Sequence, residues 1–295
     1  MIAVLLASTA LANIATDRPW TAVDTERFTV ISLDDEAVFE RRAPEKGVAF
    51  VRPETRLSVE AGGNSSMGNV GTSVLYSRFY GHHRWGWNRF SLKGRAEYGQ
   101  SIIDVNGDGT IDDFEREAGF ERTSQHFEAD ARYDRFIGRL SSVYVLAGWM
   151  NDPFTGYLRR VHGQSGFSQF IVETDGHEVV GETGFDVAHE LYVDDVFPRE
   201  DRVYAARGFM GWTATVSEAF QVNNSVESFL NVEDTNDVRI KGEVALSMKA
   251  TDILSVKTSY HIEHATLPIE GFRTTDQTMA FTLVASMFGL PKFRR

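Results

Sequence analysis

The residues best spaced for chemistry form one run of twelve, DVNGDGTIDDFE, from Asp104 to Glu115. Asp104, Asn106 and Asp108 stand at positions one, three and five of a calcium-type loop, where carboxylate and amide oxygens converge on a hard cation. Gly109 permits the sharp turn at position six, and Thr110 offers its backbone carbonyl. Asp112 acts through a water, Ile111 fills the apolar eighth position, and Glu115 closes the shell as a bidentate ligand. The spacing predicts a Ca2+ site. A lone loop binds weakly, with Kd of about 10⁻⁴–10⁻³ M in extracellular modules. Neither flank is an amphipathic helix, so an EF-hand pair is not expected. The competing reading is a polar hairpin loop that is merely rich in Asp and Gly.

Histidine chemistry is the other candidate. His261 and His264 fall near Glu263, and His162 lies near Ser165. His261 shares the parity of Glu263, which predicts a hydrogen-bonded pair. No nucleophile elbow and no zincin spacing accompanies them, so catalytic residues are assigned to none of these positions. His82-His83, followed by Trp85-Gly86-Trp87, reads as an interfacial turn anchored by indoles rather than a metal site.

The elements that must position these groups are strands. From about Thr55 onwards polar and apolar residues alternate with period two. In Arg89–Tyr98 one face is Phe, Leu, Gly, Ala, Tyr and the other Arg, Ser, Lys, Arg, Glu. Phe127–Asp134, Val238–Val244 and Leu254–Glu263 repeat the scheme. About twelve such runs are expected, starting near Thr55, Asn69, Asn88, Arg122, Arg139, Tyr157, His177, Arg202, Phe220, Val238, Ile253 and Phe272. At about 10 to 16 residues they exceed ordinary globular strands of about 5 or 6 and suffice for a tilted membrane crossing.

Loop asymmetry supports the same conclusion. Tight connections are expected at Ile137-Gly138, Ser217-Glu218 and Thr251-Asp252, and long ones at Ser101–Glu121, Val193–Asp201 and Thr266–Gly271. Short periplasmic turns with long outer loops mark outer-membrane barrels. His82–Trp87 stands out as a longer inward turn. Trp85, Trp87, Trp149, Tyr157 and Trp212 lie near strand ends, as in an aromatic belt. The expectation is an all-β fold, a transmembrane antiparallel β-barrel of the bacterial outer membrane with about 12 strands.

Composition agrees. The 295 residues include no Cys and carry a formal net charge of −12, with no Lys/Arg run to track nucleic acid. Met1–Ala12 reads as a signal peptide ending in Ala10-Leu11-Ala12, and residues 13–54 as a periplasmic leader or linker. The barrel is expected over 55–288 and a short tail over 289–295. Implied partners are the lipid bilayer, the barrel-assembly machinery during insertion and lipopolysaccharide, to which loop calcium would bridge.

Alternation also predicts the lumen. Arg89, Lys93 and Arg95 would face Glu128, Asp130, Arg132 and Asp134 across an antiparallel pair; Glu182, Asp186 and Glu190 would form an acidic row, and Arg239, Lys241 and Glu243 a mixed one. Such a lining either selects charged solutes or neutralises itself and holds the barrel's shape. Twelve strands lie between the filled barrel of about 8 and the open porin of about 16–18.

From about Arg56 to Phe288 the chain resembles the salt-induced outer-membrane protein family, also known as domain of unknown function 481. The matching stretches are SVEAGGNSSMGN (Ser58–Asn69), YDRFIGRLSSVYVLAGWMNDPFTGYLRR (Tyr133–Arg160), IVETDGHEVVGETG (Ile171–Gly184), LSVKTSYHIEHATLP (Leu254–Pro268) and the closing TTDQTMAFTLVASMF. The resemblance implies an outer-membrane barrel with no established activity. Two features depart from it: the calcium-type loop looks inserted, and Gly289–Arg295 follows the aromatic Phe288 at which the family ends. Three functional classes stay open: an envelope barrel without catalysis, a narrow channel for small charged solutes, and an outer-membrane hydrolase.

Overall fold

The computed structural model describes residues 54–66, 72–102, 113–174, 176–193, 198–217, 219–251, 253–269 and 272–288. The signal peptide, the leader up to residue 53 and the tail, together with the calcium-type positions Asp104–Asp112, lie outside the described residues. Twelve strands follow one another: β1 Glu54–Ser66, β2 Thr72–Trp85, β3 Asn88–Ser101, β4 Glu121–Phe136, β5 Ser141–Asp152 and β6 Tyr157–Glu173. The second half comprises β7 His177–Tyr192, β8 Glu200–Ser217, β9 Phe220–Asn231, β10 Val238–Lys249, β11 Leu254–Ala265 and β12 Thr275–Phe288. A six-residue helix, α1 (Asp113–Ala118), precedes β4.

Each strand pairs antiparallel with its sequence neighbours, and β1 pairs with β12 from Arg56↔Phe288 to Gly62↔Thr282, closing the barrel. Closure leaves no free edge, the condition for a sheet to cross lipid. The shortest strands have 12 residues. At about 3.3 Å per residue and a tilt near 45°, that spans about 28 Å, close to a bilayer's hydrocarbon core.

The period-two pattern sorts side chains as expected. Leu57, Val59, Leu92, Val145, Val187, Val244, Val256 and Leu283 point outward and stay exposed. Their inward neighbours, among them Ser58, Glu60, Ser91, Asp186, Glu243 and Lys257, are buried. An apolar outside and a charged inside invert the soluble-barrel arrangement and match a lipid-facing wall.

Connections at one end of the barrel have two to four residues, whereas those at the other have four to nineteen. The anticipated exception disappears: β2 continues to Trp85, and the turn is only Gly86-Trp87, with Gly86 at φ 53°. His82 and His83 therefore sit on opposite faces of a strand. His82 is buried in the lumen, while His83 stacks outward on Trp85 at 5.5 Å. Trp85, Trp149 and Trp212 are exposed near strand ends, as a belt requires. Tyr157 departs from that belt. A register shift between Tyr157 and Arg159 turns it to pack at a tilt against Tyr192, ring centroids 5.8 Å apart, whose hydroxyl donates to lumen-facing Glu190.

Candidate functional site

The barrel interior is where the structure gathers chemistry. On β3 and β4 the register sets Arg89 opposite Asp134, Lys93 opposite Asp130 and Arg95 opposite Glu128. The parity of the two strands dictates this, because antiparallel neighbours with one lumen face place early residues against late ones.

Towards the turn end these charges join a floor. Arg89 donates to Asp134 at 2.8 Å, both side chains being fully buried. Arg132 donates to Asp134 at 2.8 Å and to Glu182 of β7 at 2.9 Å. Its guanidinium lies 3.9 Å from the ring centroid of Tyr144 on β5. Arg207 of β8 donates to Glu182 and to the Tyr144 hydroxyl, each at 2.7 Å, and reaches Glu227 of β9. Tyr144 fits because a Cβ on Gly166 or Gly184 would stand 2.7–2.8 Å from its hydroxyl. Glycine at these two strand positions makes room for the ring. One connected lattice thus links β3, β4, β5, β7, β8 and β9.

A second group crosses from the other side. Lys257 of β11 lies 3.4 Å from Glu60 of β1 and 3.2 Å from Glu243 of β10, which lies 3.5 Å from Arg78 of β2. Tyr80, Phe136, Phe170, Val180, Ala245 and Val284 are also buried, none more than 3% exposed. Charges this deep are tolerable only because each is matched by opposite charge.

Towards the loop end the filling gives way to a chamber of about 120 Å³. Its lining mixes charged side chains, among them Lys93, Arg95, Glu128, Asp130, Lys241 and Glu263, with the apolar Leu146, Met150, Phe209 and Phe229. Three lumen histidines are each flanked by two carboxylates. His126 lies 2.8 Å from Asp152 and 3.5 Å from Glu128; His162 lies 2.9 Å from Asp186 and 3.5 Å from Asp130. His261 lies 2.9 Å from Glu263 and 3.9 Å from Glu243. Near the loops, Arg160 and Arg239 converge on Glu190 at 3.2 and 2.6 Å.

Measured against the sequence expectations, the His261–Glu263 pair forms. His162 does not approach Ser165, which occupies the outward face of β6. All of the acidic row Glu182, Asp186 and Glu190 is buried. Of the six calcium-type ligands only Glu115 is described: it sits in α1 and is 2% exposed. Among the described residues no cluster of three or more His, Asp or Glu is arranged for a metal. Sequence reasoning passed over Glu60, Arg78, Arg160, Arg207 and Glu227. Each is a charge of inward parity, and that signal alone would have found them.

Fold and lumen together define a transmembrane β-barrel of the outer-membrane class. The chain belongs to the family described as "Protein of unknown function, DUF481", which matches residues 59–287. It is similar to "Uncharacterized protein YdiY" of Escherichia coli (strain K12), 24% identical over 168 residues. That match covers 57% of this chain and 64% of the relative's length, just under two thirds. Among solved structures it is similar to a NanC porin at 12% identity and TM-score 0.46, covering 79% of this chain and 100% of that one. A second is the KdgM porin, at 11% identity and TM-score 0.37, covering 80% and 98% respectively.

Proposed function

We propose that the chain is a non-catalytic envelope barrel of the bacterial outer membrane with no open pore. The observation that carries this reading is the floor lattice. Arg89, Arg132, Asp134, Glu182 and Arg207 have side chains at most 7% exposed and, with Tyr144 and Glu227, bridge six strands around the lumen. An ion crossing the barrel would have to displace groups whose charges are already matched, at a cost of several kcal/mol per buried ion. The histidines support the non-catalytic reading, since carboxylates hold His126, His162 and His261 on both sides. Short turns face the periplasm in this reading, and the long loops face outward, against lipopolysaccharide.

The test is reconstitution of the full chain into planar bilayers, with and without calcium. A flat current trace in both conditions is expected. Stepwise conductance in either would replace the sealed barrel with the channel reading.

A second reading concerns the loop between β3 and β4, which we infer to be a surface Ca2+ site. The proposed donor set (Asp104, Asn106, Asp108, Thr110, Asp112 and Glu115) is entirely oxygen, as a hard cation requires. Glu115, the closing position of the set, is held 2% exposed rather than free in solvent. The role assigned to the ion is to order the loop.

A further inference from the structure

The chamber above the floor differs from the floor in how its charges are held. In the lattice, ion pairs close to 2.7–2.9 Å. Facing the chamber, Lys241 stays 3.7 Å from Glu263, and these side chains keep 24% and 37% of their surface exposed. Arg95 reaches Glu97 only at 3.5 Å. Its side chain is 8% exposed, and its Nε is buried with no hydrogen-bond partner. At such separations these pairings are weak, so Lys241 and Arg95 retain capacity for a ligand, while Glu263, 2.9 Å from His261, keeps its second oxygen towards Lys241.

Arg95 on β3, Glu128 on β4, Lys241 on β10 and Glu263 on β11 all line the chamber, and Lys241 faces Glu263 directly. Two cations and two carboxylates thus share the chamber with the rings of Phe209 and Phe229. A solute of single charge entering here would add an unbalanced charge to two cations and two carboxylates that already sum to zero, which is costly away from water. A solute carrying both charges satisfies both signs. The chamber's 120 Å³, at roughly 10–15 Å³ per water, corresponds to about ten water-sized atoms.

We propose that the chamber binds a small zwitterionic solute with an apolar portion, of the amino-acid type. Its ammonium lies between Glu128 and Glu263, its carboxylate between Lys241 and Arg95, and its apolar part against Phe209 and Phe229. This goes beyond the sealed-barrel reading and does not need the floor to be closed.

The test is isothermal titration calorimetry on the full chain refolded in detergent, with three probes: L-leucine, N-acetyl-L-leucine and L-leucine methyl ester. The derivatives keep the apolar part and remove one charge each. Leucine should bind at least about tenfold more tightly than either, a difference of about 1.4 kcal/mol. Lys241→Met and Glu128→Gln should each weaken leucine by a similar factor while the barrel's heat-modifiable gel mobility is kept. Should a variant fail to refold, the three-probe comparison on the unmodified chain still decides. Absence of saturable leucine binding at millimolar concentration, or equal affinity for all three probes, overturns the proposal. Conductance with leucine binding would overturn only the sealed floor; a silent barrel that ignores leucine would overturn only the binding site.

Discussion

Arg132 shows how much one lumen side chain carries. It contacts Asp134 on its own strand, Glu182 three strands away and the face of Tyr144. Arg132→Ala would leave two carboxylates short of a partner inside the barrel, and breaking a buried pair this way costs about 3–5 kcal/mol. Removing Glu182 as well should restore much of that loss. In Arg132→Met/Glu182→Met, Asp134 keeps Arg89, and Arg207 keeps Glu227 and Tyr144. Urea unfolding in lipid vesicles should therefore place the double variant above the single alanine variant. A double variant less stable than the single one would show that the charges are not coupled. The sequence displayed half of this arrangement. Arg89 opposite Asp134 follows from alternation on two adjacent strands, and parity alone predicts it. Arg132 with Glu182, or Arg207 with Tyr144, depends on strand stagger and barrel radius, which no local pattern encodes.

At the scale of elements, strand number and strand faces were readable because lipid outside and paired charge inside impose a strict period of two. Boundaries failed where the period was interrupted or misjudged. His82–Trp87 looked like a loop because two histidines and two indoles cluster there, yet their alternation continues the strand to Trp85. Tyr157 looked like a belt aromatic until the register shift beside it reversed its face. The connection from β3 to β4 is where an element should respond to an ion. Calcium at millimolar concentration should protect this loop from limited proteolysis of the refolded chain, by ordering backbone that a protease must otherwise unfold. Asp104→Ala/Glu115→Ala removes the first and last ligands and should abolish protection without changing barrel stability. Identical digestion in calcium and in chelator would eliminate the metal site and leave a polar hairpin loop.

For the whole molecule, a closed barrel with an exposed apolar belt makes one quantitative demand, that the cost of a charge depend on depth. Val244 lies at the middle of β10 and Met248 near its turn end; both face outward, 38% and 57% exposed. In a membrane barrel an Arg at the bilayer midplane costs about 2–4 kcal/mol, falling to about 0–1 near the interface. Val244→Arg should therefore lower folding stability well below that of Met248→Arg, measured by guanidinium titration of refolding into phosphatidylcholine vesicles. Both positions neighbour inward residues that are buried, Ala245 and Ser247 at 0% exposure, so packing inside the barrel does not separate them. The gradient arises from lipid alone. On a soluble barrel the same two substitutions would replace an exposed apolar side chain by a hydrated one and differ little. Equal stabilities in vesicles would mean that the apolar belt does not meet hydrocarbon. A gap of about 2 kcal/mol or more would place the middle of β10 at the middle of the membrane.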